Sequence, residues 1–487
     1  MLFVVDHCNY FLGILLSALI AIWLRQIILP PSDFPKSIPT IPFYVCFLPI
    51  IFNWDQKSIY EKHFREKVEK YGAVKVYFAS RWNILVTKPE YVKTVISHND
   101  IFEKSGNQEK IPHAVIAEYL GDNLISAGNE NWAKYRSLTE DSIRFPDMSP
   151  LEKNVELLLQ EISNSLPANK TMRVNEIFQK YTLSCVGDCI IGSDLRTPLN
   201  GVSIQERINY LKNQIFKPLF MNFTFLDKLP IPSRIRARNA VREFKKLFFD
   251  KILADKTVEN SNKLGPSLAD GFEKKIITKQ QFQDNAMIAM VAGHENPQIL
   301  LTTVIYLLSK HPSIQDKLRC LLNQNTNYSE NPFLDAIVYE ALRLLPPIAQ
   351  LINRVTRQRV FLGKDLVIPK GVYIGNNSLF TQRDEKYWKD ADEFRPQRWG
   401  TTKEEINKRF RLAQSNCTLT AFHGRKRSCL GQLFALAEVK IAVVAIVKVY
   451  KLSLDPTWIE RFTPSGPLVP VNLSVHFEEV QTHAELD

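Results

Sequence analysis

The sequence predicts a mainly α-helical fold with small β-sheets, carried on a single N-terminal helix that anchors it in a membrane. Three observations lead there. Stretches of helical character fill the centre and the C-terminal part, namely Asp284–Ser309, Pro332–Leu345 and Leu430–Tyr450. Strand-like runs are few, short and paired around turn residues. The N-terminus carries an uncharged apolar run that stops at paired prolines.

The anchor comes first. Tyr10–Leu24 holds no charged residue, against the ~20 apolar residues a spanning helix needs. Ile27, Ile28 and Leu29 extend the run beyond Arg25 and Gln26, and Trp23 sits where an interfacial aromatic belongs. Pro30 and Pro31 stand in place of the small-residue cleavage site of a signal peptide. Asp6 precedes the run while Arg25 and Lys36 follow it, which puts the bulk of the chain on the cytosolic side. The organisation read from this is an anchor over 1–29, a neck over 30–42 and one large domain over 43–487. Pro30, Pro31, Pro35, Pro39 and Pro42 stiffen the neck, because each fixes φ and none continues a helix.

In the body, Val74–Phe78 and Asn83–Thr87 flank Ser80-Arg81-Trp82 and read as a hairpin. Val360–Leu362 and Val372–Ile374 bracket a second turn at Ile368–Gly371. Asp284–Ser309 is long and mostly apolar, with Pro297 at its middle. Pro332–Leu345 is amphipathic, and Leu430–Tyr450 begins directly after Cys429. A chain 45% apolar and 23% charged is a folded one. Its net charge of +11 suits an acidic partner or an anionic membrane, and no nucleic-acid module is recognisable. The seven cysteines contain no C-x-x-C pair, which argues against zinc ribbons and thioredoxin motifs and for a reduced, cytosol-facing domain.

Four constellations carry chemistry. In Phe422–Gly431, a cysteine follows a basic loop and precedes a helix start, and both features favour an ionised thiolate. Gly431 allows close approach of a flat ligand, Arg427 reaches a carboxylate at the edge of such a ligand, and Phe422 shields the sulfur. Glu340 and Arg343 share a helix face at i, i+3. Trp132 and Arg136 lie one turn apart and can donate to one acceptor. Gly293, Glu295 and Asn296 sit midway along the apolar helix, and Pro297 denies the Gly293 carbonyl its usual N–H, so the helix should open there.

Taken in order along the chain, these segments resemble the signatures of the cytochrome P-450 family, over about residues 40 to 475. The resemblance implies the cytochrome P-450 fold and a haem-thiolate monooxygenase. It makes Cys429 the ligand of the iron of haem b, with Phe422, Arg427, Gly431, Trp132, Arg136 and Arg354 around the haem. It makes Glu340, Arg343 and Arg398, the last within Phe394–Trp399, a structural triad. It places Gly293, Glu295 and Asn296 where dioxygen is activated. Two positions depart from the pattern: Arg425 stands where a glycine is usual, next to Gly424, and Asn296 replaces a threonine. Electrons would come from NADPH through a reductase, docked on Arg425, Lys426, Lys440, Lys408 and Arg411. The implied location is the endoplasmic reticulum membrane, single-pass. Ser32–Pro49, Lys70–Val86, Lys104–Gln108 and Ala292–Gln298 are similar to a dityrosine-forming branch of the family from yeast spore-wall synthesis. That branch couples N-formyl-L-tyrosine to N,N'-bisformyl dityrosine during sporulation; the alternative is a hydroxylase of lipids, sterols or xenobiotics. Lys104, Lys110 and His113 are candidates for the substrate carboxylate, with Pro347–Ile352 and Ser465–Leu468 lining the pocket.

Overall fold

Capping and apolar continuity set the longest element. In the computed structural model, which describes residues 2–257, 262–324, 327–364, 366–423 and 425–480, a helix runs over Lys279–Lys310. Thr278 and Gln281 start it with reciprocal side-chain to backbone bonds of 3.2 and 3.0 Å. It is buried on nearly all sides, as befits a helix apolar all round. The helices that position the site are α1 (Leu2–Ile28), α2 (Asn107–Lys110), α3 (Val115–Leu120), α4 (Asn129–Arg144) and α5 (Asn175–Val186). They continue with α6 (Ile204–Ile215), α7 (Pro232–Ala254), α8 (Lys279–Lys310), α9 (Pro332–Leu344) and α10 (Gln432–Val449). Gly424, residues 481–487 and the side chain of Trp23 lie outside the described residues.

The strands are β1 (Ala73–Phe78), β2 (Arg81–Val86), β3 (Phe102–Lys104), β4 (Thr171–Arg173), β5 (Gln350–Thr356), β6 (Val360–Leu362), β7 (Leu366–Ile368), β8 (Tyr373–Asn377), β9 (Tyr450–Leu454) and β10 (Ser474–Glu479). They form sheets ordered β1-β2-β8-β5-β3, β4-β10-β9 and β6-β7. Both turns differ from the sequence reading. The first hairpin closes on Ala79 and Ser80 alone, at φ 53° and 61°, and Phe78 pairs with Arg81. Two left-handed residues match the twist of the strands, so Arg81 and Trp82 belong to β2. In the second case β6 pairs with β7, while Tyr373–Asn377 runs parallel to β2 and antiparallel to β5. Gly371, at φ 83°, turns the chain from the small sheet into the large one.

The main core gathers α5, α8, α9 and α10. Gly293 is needed where α8 crosses α5, because a Cβ there would stand 2.4 Å from Val186 Cγ2. The helix does not open at Pro297: α8 stays α-helical on both sides of it. Proline removes one N–H there, and the packing of α8 on its neighbours holds the rest of the ladder.

Among the described residues no helix is long and apolar enough to cross a membrane. On α1, Phe11, Ile14, Leu16 and Leu19 are nonetheless exposed. Its end is fixed to the body by Trp82 Nε1, which donates to the Ile27 carbonyl at 2.9 Å.

Candidate functional site

The loop before α10 is folded back on itself. The Cys429 N–H donates to the Phe422 carbonyl at 2.9 Å, and the Ser428 N–H donates to the Arg425 carbonyl at 3.1 Å. Phe422, His423 and Arg425 are all left-handed, at φ 61°, 47° and 76°. Arginine at 425 therefore carries backbone strain of about 1–2 kcal/mol that glycine would not. Gly431 is the N-cap of α10, and the protein atom nearest a Cβ there would be Ile143 Cγ2 at 3.8 Å. Burial pushes the Cys429 thiol above its ordinary value, more than the Gly431 N–H bonded to it pulls it down. Cys429 presents exposed surface, yet the density of protein around it is that of the interior, and depth governs its titration. A metal cation on the sulfur would reverse this balance.

Beside the loop lies a group of bases without a matching group of acids. Burial, then the charges of Arg354 and Arg427, lowers the Lys104 ammonium well below its ordinary value. Burial lowers Arg354 to about 10, and burial with Arg354 and Arg136 lowers Arg427 to about 10. Burial, then Lys104 and Arg354, lowers His423 to about 4. Glu103, whose field reaches Arg427, is itself paired with Arg357. The Arg427 guanidinium lies 4.2 Å over the Trp132 ring. Its Nη2 donates to the Ala127 carbonyl at 3.0 Å, while its buried Nη1 has no partner. Arg354 Nη1 donates to Asn99 and to the Phe102 carbonyl. Arg136 lies beside Trp132, its guanidinium 5.8 Å from the ring centre. Glu140, one turn on, takes its Nε and Nη2 at 2.7 and 2.9 Å, because a carboxylate at i+4 captures a guanidinium with two bonds.

Glu340, Arg343 and Arg398 come together in a buried network. Glu340 Oε1 accepts from Arg343 Nη2 at 2.9 Å, Arg398 Nε at 2.8 Å and the Arg395 N–H at 3.0 Å. Oε2 accepts from Arg343 Nε at 2.9 Å and Trp399 Nε1 at 3.0 Å. Arg343 Nη1 reaches the carbonyls of Gln382 and Ala391. Gln382 links this network to the cysteine loop: its Nε2 donates to the Arg343 carbonyl at 2.8 Å and its Oε1 accepts from the Thr420 N–H at 2.9 Å. Nothing near Gln382 in the sequence marks it for this role.

On the other side, α8 borders a cavity of about 400 Å³, within the range of small-molecule sites. Ala292, Glu295 and Asn296 line it, together with Ile348–Ile352 and Ser465–Pro467. Gly293 does not; it faces α5. Asn296 Nδ2 leans on the Ala292 carbonyl at 3.4 Å. Lys212 on α6 stands 2.7 Å from Glu295, a pairing of charges out of line for a hydrogen bond. The Tyr119 hydroxyl on α3 is buried without a partner, and burial followed by the Glu295 charge raises its pKa. Lys212 and Tyr119 carry no sequence mark either. Of the three candidates for a substrate carboxylate, Lys110 lines the cavity, Lys104 belongs to the basic group, and His113 is not in the lining.

The family description "Cytochrome P450" matches residues 35–473. The chain is 42% identical to Cytochrome P450-DIT2 of Saccharomyces cerevisiae, over 93% of this chain and 95% of that protein. It is 33% identical to Cytochrome P450 monooxygenase xanG of Aspergillus fumigatus, over 89% and 85% respectively. It is 26% identical to Cytochrome P450 3A13 of Mus musculus, over 78% and 79%. These matches show that the chain belongs to the cytochrome P450 family, whose members use haem, dioxygen and NADPH-derived electrons delivered by a reductase.

Proposed function

We propose that this P450 couples N-formyl-L-tyrosine to N,N'-bisformyl dityrosine, a precursor of the yeast ascospore wall, with Cys429 as the haem ligand. The observation that carries the haem site is the donor set around Cys429. Lys104, Arg354, Arg427 and His423 form a basic group without matching acids, and one buried guanidinium nitrogen has no protein partner. Two carboxylates at one edge of haem fit that group, and Gly431, which brings no side chain of its own, suits a flat face laid against the loop. In this reading Arg427, Arg354 and Trp132 hold the propionates, and Phe422 keeps water from the sulfur. Arg136 joins them by leaving Glu140. Haem supplies, when bound, the one-electron chemistry that makes an oxidant of dioxygen.

The chain's own residues set what happens around it. Glu295 faces the cavity with its carboxylate set against the Lys212 ammonium. Asn296 orders water by hydrogen bonds but has no hydroxyl proton to pass on. The apolar lining excludes bulk water from the reacting phenols. Overall, two substrate phenols, one dioxygen, NADPH and a proton give one biaryl, NADP+ and two waters. Each ring loses an ortho hydrogen and keeps its hydroxyl. The similarity to dityrosine-forming P450s supports this substrate.

The domain organisation belongs to the same reading: anchor over 1–29, neck over 30–42, catalytic domain over 43–487. The exposed apolar residues of α1 support membrane attachment, at the endoplasmic reticulum with the body in the cytosol. Lys408, Arg411, Arg425 and Lys426, all exposed, make the reductase docking face. Lys440 drops out of that face, because it is paired with Asp335.

A reduced carbon monoxide difference spectrum of the wild type and Cys429→Ala, followed by product analysis with N-formyltyrosine and a reductase, tests the proposal. A thiolate-type spectrum lost in the variant, with bisformyl dityrosine formed by the wild type, is the expected result. A wild type that holds haem without that spectrum overturns the ligand. Hydroxylated tyrosine in place of the dimer overturns the coupling.

A further inference from the structure

Among the described residues, the lysine, arginine and acidic side chains that line the 400 Å³ cavity are Lys110, Asp227, Arg234 and Glu295. Three of them are matched. Arg234 Nη2 bonds Asp227 at 3.0 Å, and Asp227 also accepts from the Val115 N–H. Glu295 stands against Lys212. Among the described residues, Lys110 is the one of the four with no acid against it. Its ammonium is 4% exposed as a residue and donates to the Ile352 carbonyl at 3.2 Å. The faces of Phe78 and Tyr373 lie 5.5 and 5.3 Å from it. The charge nearest it in effect is Arg81, which repels. A buried cation without an anion is costly, and this one borders the cavity.

We propose that Lys110 is the specificity residue of this P450, and that it binds the free carboxylate of an aromatic amino-acid-type substrate in this cavity. The aromatic faces and the Ile352 carbonyl hold the ammonium in place. The incoming carboxylate supplies the missing negative charge in a site that excludes water, where a charge-assisted bond is strongest. Esters and amides of the same compounds lack that charge. The assignment rests on the reading of the cavity as the substrate site, but not on which acid is the natural substrate.

The test is a set of ferric-haem spectral titrations on the haem-loaded protein. N-formyltyrosine, N-acetylphenylalanine, 4-hydroxyphenylpropionate and laurate are each compared with their methyl esters, for wild type, Lys110→Met and Lys110→Arg. Carbon monoxide spectra show that each variant is folded and loaded. The wild type should bind the aromatic acids about thirtyfold or more tighter than their esters. Methionine should bring that ratio close to one, and arginine should restore most of it. Wild type without acid preference, or Lys110→Met with the preference intact, overturns the proposal. Acid preference that depends on Lys110 while N-formyltyrosine binds worst among the aromatic acids upholds Lys110 and overturns the N-formyltyrosine reading instead.

Discussion

Replacing Arg398 tests whether the buried triad is held by geometry or by charge alone. Arg398 makes three good bonds: to Glu340 at 2.8 Å, to the Lys389 carbonyl at 2.6 Å and to the Asp390 carbonyl at 3.0 Å. A bond to a buried carboxylate contributes about 2 kcal/mol and each bond to a carbonyl about 1 kcal/mol. Arg398→Met should therefore cost about 4 kcal/mol. Glu340 is not orphaned by it, since Arg343, Trp399 and the Arg395 N–H remain. Arg398→Lys keeps the charge but loses the planar fork, and should cost about 2 kcal/mol. Against a total stability of about 5–15 kcal/mol, both losses are readable. Urea unfolding of the haem-loaded protein, followed through the haem absorbance, gives the midpoints. The slope should stay constant while the midpoint falls, more for methionine than for lysine. Methionine within about 1 kcal/mol of wild type, or lysine no better than methionine, would refute the geometric account.

Four further outcomes follow from individual positions. Gly293→Ala should lower stability by about 1–3 kcal/mol despite alanine's better helix propensity; Val186→Ala should rescue it, as thermal unfolding of the double variant would show. Arg425→Gly should raise stability by up to about 1 kcal/mol, the strain relieved less the entropy of glycine, read from the same melts. Lys426→Glu should slow reduction by an acidic reductase in stopped flow and leave the haem content unchanged; unaltered kinetics would remove Lys426 from the docking face. Burial, then Arg81 on β2, lowers Lys110 to about 7, with Tyr373 on β8 the other ionisable group against it. The charged form predominates below that value, so carboxylate affinity should fall as pH rises from 7 to 8, by up to about tenfold. Affinity for the methyl esters should not follow it, and equal pH dependence for acid and ester would count against Lys110.

The sequence was most informative where function fixes spacing along the chain. Glu340 and Arg343 share one turn of helix, and the structure pairs them there; Cys429 and Arg427 share one loop, which the family resemblance marks. It was least informative where a partner comes from a distant element. The sequence sets Val372–Ile374 across a turn from Val360–Leu362, yet the strand Tyr373–Asn377 pairs with β2 and β5, and no local pattern encodes that choice. Gln382, Tyr119 and Lys212 act through contacts made only after folding. Arg136 is a local case of another kind: its motif partner Trp132 and its ion-pair partner Glu140 both lie one turn away. Lys104 and Lys110 are six residues apart and equally basic in sequence. Only their surroundings, a basic group for one and an apolar cavity for the other, separate their roles.

Buried charge sorts the site into parts that are finished and parts that await a ligand. On the triad side, two guanidiniums share one carboxylate and every remaining donor is directed at a carbonyl, so that region is complete without any partner. Lys212 balances Glu295, and Asp227 balances Arg234. What is left over is positive: the group of Lys104, Arg354 and Arg427 next to the cysteine loop, and Lys110 in the cavity. A protein interior does not hold unmatched cations without cost. In the proposed function, the first group takes the two propionates of haem. Lys110 lies apart from it and borders the cavity, so the anion that completes it has to arrive with the substrate.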